Sequence, residues 1–371
     1  MAYMLRQRMT KVGALAAVPT WRFKLPNLGA YTALELVIDC RRFATRADSD
    51  LVYPLEQMIS KIELVEGGSR ALLSLPGPQL DALNYWAFGR PNPRRYRQEE
   101  ATGNILHLYL MGGRDLYDTQ YGYDFSRLNE TYLEYTHSID ADAAEKFDAS
   151  HHTVSLYGWR WMGAGLPNFR GLLRARQIAA FTTTAEDTIK TIQIPTGTDI
   201  RRIGVQAKSR AATLGGTFKA VEVSVNNGEY SPVTIDSALT WTMQEAQTYD
   251  LNNELAGVDY LVGAETTEIP RWFSYYQSVL ACPFGLATET NPVTNFITLP
   301  AGVRAHTVGN EEVNFSSRGW GFQKCLRIGF DHDYAGSDLL KSAGMGALDL
   351  ILTEAAASKE GAVFIEDILP Y

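Results

Sequence analysis

Apolar residues along this chain recur mostly at every second position, in short runs cut off by Gly, Pro, Asn or Asp. That is the period of a half-buried strand, not of a helix. In the first half the alternation predicts strands over residues 32–39, 57–66 and 104–110. In the second half it predicts strands over 187–194, 199–208, 218–225, 296–299 and 322–330, then two closing strands at 347–353 and 362–368. Helix-compatible stretches are few: 78–86, 238–246 with an overlapping polar, helix-tolerant run over 240–252, and 337–345 with Ser337 placed to cap its start. From about 114 to 181 the alternation breaks into aromatic, Gly-rich and polar stretches, so long excursions between strands are expected there, together with the junction of two halves.

Two segments share one grammar. Residues 61–75 and 221–235 each read as an alternating strand, a turn, a second apolar strand and then a short helix. Aligning Gly68 with Gly228 places Val65 on Val225, Ser74 on Thr234 and Leu75 on Ile235. The turns, Gly67-Gly68 and Asn227-Gly228, supply the positive φ that a tight two-residue hairpin requires. The chain therefore reads as one β-rich unit written twice, and its 371 residues suit two domains that each bury a core. The expected division is a short arm over 1–20, a first sandwich over 21–180 and a second over 181–371. The fold class is all-β, because the regular strand–helix alternation of βαβ folds is missing. Eight strands per half suit a jelly roll, and periodicity alone leaves other Greek-key sandwiches open.

Composition narrows the function. The chain is 45% hydrophobic, 20% charged and 11% aromatic, the make-up of a folded protein, and its net charge of −8 argues against a coat for nucleic acid. Arg6, Arg8 and Lys11 form a local exception, with no acidic residue before Glu35. The default reading of that arm is a solvated tail; the alternative is an arm that meets an anionic surface. Three scattered cysteines, Cys40, Cys282 and Cys325, imply no disulfide framework and an intracellular site of folding. No apolar run is long enough to span a membrane as a helix, and no secretion signal is expected.

Candidate chemistry is sparse. Asp140, Asp142, Asp148, His151 and His152 are the densest group of possible ligands for an ion, and Asp331-His332-Asp333 is a second. Neither matches a defined metal loop, and adjacent His151 and His152 would face opposite sides of one strand, so solvated loops are the default and no metal is assigned. There is no Gly-x-Ser-x-Gly, Gly-x4-Gly-Lys, His-Glu-x-x-His or Cys-x-x-Cys, so no catalytic residue and no cofactor is assigned either. Adjacent carboxylates such as Glu99-Glu100 and Glu311-Glu312 cannot flank a scissile bond by proximity in sequence alone. Aromatic groups at Tyr85-Trp86-Phe88, Tyr157, Trp159, Trp161 and 272–276 are read first as core and second as buried anchors between subunits.

In the repeated hairpins, the helix-compatible run that follows Gly77, and the closing Leu348-Asp-Leu-Ile-Leu-Thr353, the chain resembles the double jelly-roll major capsid proteins of icosahedral, membrane-containing viruses. The resemblance implies a non-enzymatic shell subunit, made in the host cytoplasm, whose three copies form a trimer of nearly hexagonal outline. It also implies neighbouring capsomers, penton and minor capsid proteins as partners. Loops at 114–180 and 250–295 would form towers or trimer contacts, and the arm bearing Arg6, Arg8 and Lys11 would point toward an internal membrane. The alternative is a tandem sandwich that binds or cleaves carbohydrate through exposed aromatics such as Trp161 and Trp272.

Overall fold

The computed structural model describes residues 2–12, 20–42, 55–95, 103–139, 147–208, 213–248, 254–262, 278–283, 311–331 and 338–371. Its first ten strands are Ala2–Val12 (β1), Thr20–Lys24 (β2), Ala30–Arg42 (β3), Ile59–Glu66 (β4), Arg70–Leu75 (β5), Arg94–Arg95 (β6), Gly103–Met111 (β7), Tyr123–Asp124 (β8), Thr131–His137 (β9) and Phe147–Gly163 (β10). Helix Gly77–Phe88 (α1) follows β5. The second half carries Gly171–Thr182 (β11), Ile189–Gln193 (β12), Asp199–Ala207 (β13), Phe218–Val225 (β14), Tyr230–Ile235 (β15), helix Ala238–Thr248 (α2), Glu254–Val262 (β16), Ser278–Pro283 (β17) and Glu311–Trp320 (β18). It closes with Cys325–Gly329 (β19), Leu340–Lys341 (β20), Leu348–Glu354 (β21) and Glu360–Pro370 (β22).

Pairing repeats between the halves. In the first, β1-β10-β3-β7 forms one sheet and β5-β4-β9-β2 the other; in the second, β11-β22-β13-β19 faces β12-β21-β14-β15. Among the described residues each half thus holds eight principal strands in two four-stranded layers, as the jelly-roll expectation requires. The small strands match too, since β8 pairs with β3 as β20 pairs with β13. Even the irregularities coincide. Met9 bulges out of the β1–β10 ladder and Ile178 out of β11–β22, while Thr32 bulges from β3 and Arg201 from β13. Both bulge pairs are separated by the same 169 positions. A third pair, Ser60 on β4 and Lys219 on β14, is displaced in the same way from partners on β9 and β21. Bulges set local twist and register, so three shared ones mark a duplicated unit more sharply than apolar alternation does.

The sequence alignment of the hairpins needs one correction. Glu66 pairs with Arg70 across three turn residues, whereas Val225 pairs with Tyr230 across four. Glu66, not Val65, is therefore the counterpart of Val225, while Ser74 and Leu75 keep theirs. The longer turn is built by Asn226, Asn227 and Gly228 at φ 53°, 60° and 92°, the shorter by Gly67 and Gly68 at 58° and 79°.

Three other expectations change. Residues 2–12 are not a tail: β1 is an integral edge strand along β10. The stretch from 114 to 181 contains β8, β9, β10 and β11, among them the 17-residue β10, in place of long excursions. No helix forms at 338–345; Leu340–Lys341 pairs with β13, and Ser342 Oγ donates to Thr198 O (2.6 Å) while accepting from Gly197 N (3.0 Å), which fixes an extended turn. The expected strand at 296–299 lies outside the described residues. Of the loops expected at 250–295, the described parts are β16 and β17, which flank β18 in a three-stranded sheet with no counterpart among the described residues of the first half.

Alternation builds two cores. Leu34, Leu36 and Ile38 of β3 meet Ile62 and Leu64 of β4 and Leu133 and Tyr135 of β9 in the first. Ile203 and Val205 of β13, Val221 and Val223 of β14, and Leu350 and Leu352 of β21 fill the second. Leu172, Ala175, Phe322, Cys325, Phe364 and Leu369 belong to the second half in sequence and to the first core in space.

Candidate assembly site

The halves meet along two strand edges. β11 runs parallel to β5, with Ala175 opposite Leu73 and Arg176 opposite Ser74, joining one layer of each half into a single continuous sheet. Beneath this seam lies α1, whose N-terminal Pro78 has no N–H to leave unpaired and whose end is closed by Gly89 in the left-handed region. Trp86 stacks on Phe364 of β22 (5.7 Å, 9°), and Tyr85 lies against Phe322 (4.8 Å). Gln79 donates to Gln177 (2.7 Å) and Gln206 (3.1 Å) of the second half.

A buried ionic network locks the same seam. Arg94 grips both Asp81 oxygens (2.8 and 2.9 Å) and reaches Glu56 (3.4 Å), all three side chains being enclosed. Gln323, from the second half, donates to Asp81 (2.6 Å) and Glu56 (3.0 Å) from a backbone held at φ 55°. A non-glycine residue in that conformation is costly, and here the two donations offset it. Two buried carboxylates beside one arginine need further donors, and Asn92 of the first half (3.0 Å to Asp81) and Gln323 of the second supply them.

Arg6 shows why β1 is not free. Its guanidinium bonds Glu35 of β3 (2.6 and 3.0 Å) and lies 3.8 Å over the Tyr157 ring. Burial alone would raise the Glu35 carboxyl; hydrogen bonds from His107, Arg6 and Trp159 outweigh it and hold it down at about 2. Arg8 and Lys11 remain exposed, so of the three arm cations only Arg6 is committed within the fold.

The predicted ligand groups are scattered. His151 is exposed, whereas His152 is fully buried against the Tyr135 hydroxyl (3.1 Å) and edge-on to His137 (4.5 Å), so the two do face opposite ways. Burial, and then His137, push His152 down to about 3, which makes it a neutral core group. Asp331 is buried on Arg201 (2.8 Å). Asp140, Asp142, His332 and Asp333 lie outside the described residues, as do Trp272 and the aromatics after it; Asp148 is placed only as a backbone position of β10. Among the described residues no three His, Cys, Asp or Glu side chains gather as a metal site. Trp159 donates its indole N–H to Glu35 (3.0 Å), and both Trp159 and Trp161 are half-buried. The network of Glu56, Asp81, Arg94 and Gln323 had no signal in the sequence, because its members are far apart and obey no common spacing.

No protein-family model matches the chain, and no curated protein sequence does. Among solved structures it is similar over its whole length to the STIV MCP, from Sulfolobus Turreted Icosahedral Virus, with TM-score 0.60, 12% identity, and coverage of 100% of this chain and 98% of that one. It is similar as well to the major capsid protein P2 from bacteriophage PM2 (TM-score 0.51, 11% identity, 100% and 97% covered). The PBCV-1 virus capsid gives TM-score 0.55 at 8% identity, with 99% and 94% covered. At such identities the agreement lies in the course of the backbone, and coverage near completeness on both sides includes both halves. The fold of this chain is the double jelly roll that these viral capsid proteins share.

Proposed function

We propose that the protein is a major capsid protein: a structural subunit of an icosahedral virion, three copies of which close into a pseudo-hexameric ring. The observation that carries this reading is a complete duplicated sandwich matching capsid proteins end to end. Six similar units around a threefold axis give nearly sixfold outlines without a sixfold site, which suits tiling of a shell. The unit border that the paired strands favour lies between Gly163 and Gly171, with β1 counted in the first unit, in place of 1–20, 21–180 and 181–371. No catalytic role is assigned. Partners are further copies of the chain and, in a virion, the penton and minor capsid proteins; Arg8 and Lys11 are the arm cations left for an internal membrane. No observation favours the carbohydrate reading. Native mass of the purified protein at micromolar concentration tests the proposal: a trimer is expected, and a stable monomer would contradict it.

A further inference from the structure

The two strands that join the halves inside one chain each have a counterpart that ends a sheet. β1 is the equivalent of β11 and β15 the equivalent of β5; among the described residues each forms the outer edge of its sheet. Burial differs accordingly. Leu172 of β11 is 0% exposed within the core of the first half, while its counterpart Tyr3 is 55% exposed. Leu72 and Leu73 of β5 are buried, while Pro232 is exposed and Val233 half-buried at the same positions of β15. Leu5 and Tyr230, on the same two strands, are also large apolar side chains facing solvent. An unpaired strand carrying apolar groups is a template for another strand, and Pro232 limits the stretch that can pair on β15.

We infer that β15 of one copy pairs in parallel with β1 of a second copy of this chain, repeating between subunits the β5–β11 seam found within each. Transferring the internal register places Val233 opposite Arg6 and Thr234 opposite Gln7 of the neighbour. Every copy presents one edge of each kind, so the contact is head-to-tail and propagates around a ring or along a filament. Closure at three copies rests on the capsid reading; the edge pairing itself rests on the repeat.

Cysteines placed at Gln7 and Thr234 test it, because residues opposite one another on adjacent strands lie about 5 Å apart, within disulfide range. Cys40 and Cys325 are buried, and Cys282→Ser removes the remaining thiol. In that background, oxidised Gln7→Cys/Thr234→Cys protein is expected to run as linked dimers and trimers that collapse on reduction. Their yield should exceed at least tenfold that of Gln7→Cys/Thr191→Cys, whose second site lies on the opposite edge, β12. A trimeric native mass without linkage above this control overturns the edge pairing and leaves the capsid reading standing. A monomer without linkage overturns both, and a ladder running past three copies upholds the pairing while removing the three-copy ring. Tyr3→Lys, at a position already exposed in the free chain, is expected to weaken association at least tenfold with unchanged circular dichroism; unchanged association would count against the inference.

Discussion

Single side chains in this protein act mostly by meeting one another across long sequence distances. Arg94 is the clearest case. Replacing it with Leu leaves Asp81 and Glu56 buried without their cation, and a loss of about 3–5 kcal/mol is expected in denaturant unfolding. His152 gives a pH signature. Its folded-state value of about 3 lies below the unfolded value near 6.5, so its contribution is complete above pH 6.5 and declines as pH falls toward 3. Glu35, held at about 2, adds a loss only below about pH 4.5. Between pH 7 and pH 5, His152→Leu is therefore expected to lose about 2 kcal/mol less stability than the unaltered protein. Equal slopes for the two would show that His152 does not titrate as a buried neutral group. None of these roles was legible beforehand, since an ion pair such as Arg6–Glu35 depends on β1 lying two strands from β3.

Among the elements, legibility followed how a strand is covered. Strands with one face on a core and one toward solvent announced themselves by alternation, as at β21, where Leu348, Leu350 and Leu352 are buried. β10 and β11 did not, because they interleave polar and aromatic side chains whose partners lie on neighbouring strands. Arg174 of β11 is paired with Asp367, and Trp159 of β10 bonds Glu35. β1, an edge strand, read as a basic tail because Glu35, the partner that holds Arg6, lies two strands away. The hairpin repeat was visible, yet its one-residue difference in turn length was not, since turn chemistry allows three- and four-residue loops alike. α1 is the element on which the seam depends most. Trp86→Ala, which removes a buried ring stacked on Phe364, is expected to cost about 3–5 kcal/mol in unfolding, whereas Trp241→Ala on the less enclosed α2 should cost distinctly less.

At the scale of the molecule, duplication explains why the chain carries two complementary edges: the internal seam uses up one β11-type edge and one β5-type edge and, among the described residues, leaves one of each unfilled. Large, repeated, mainly non-catalytic contact area is what a shell subunit requires. The all-β class and two-unit plan could be seen in the sequence, because they depend on local period; the junction could not, because it depends on which edges meet. Electron microscopy of the purified protein tests the central claim most directly. Class averages are expected to show a threefold particle with six similar lobes and a hexagonal outline, whereas a two-lobed single particle, or a ring whose lobes are not six, would contradict the account.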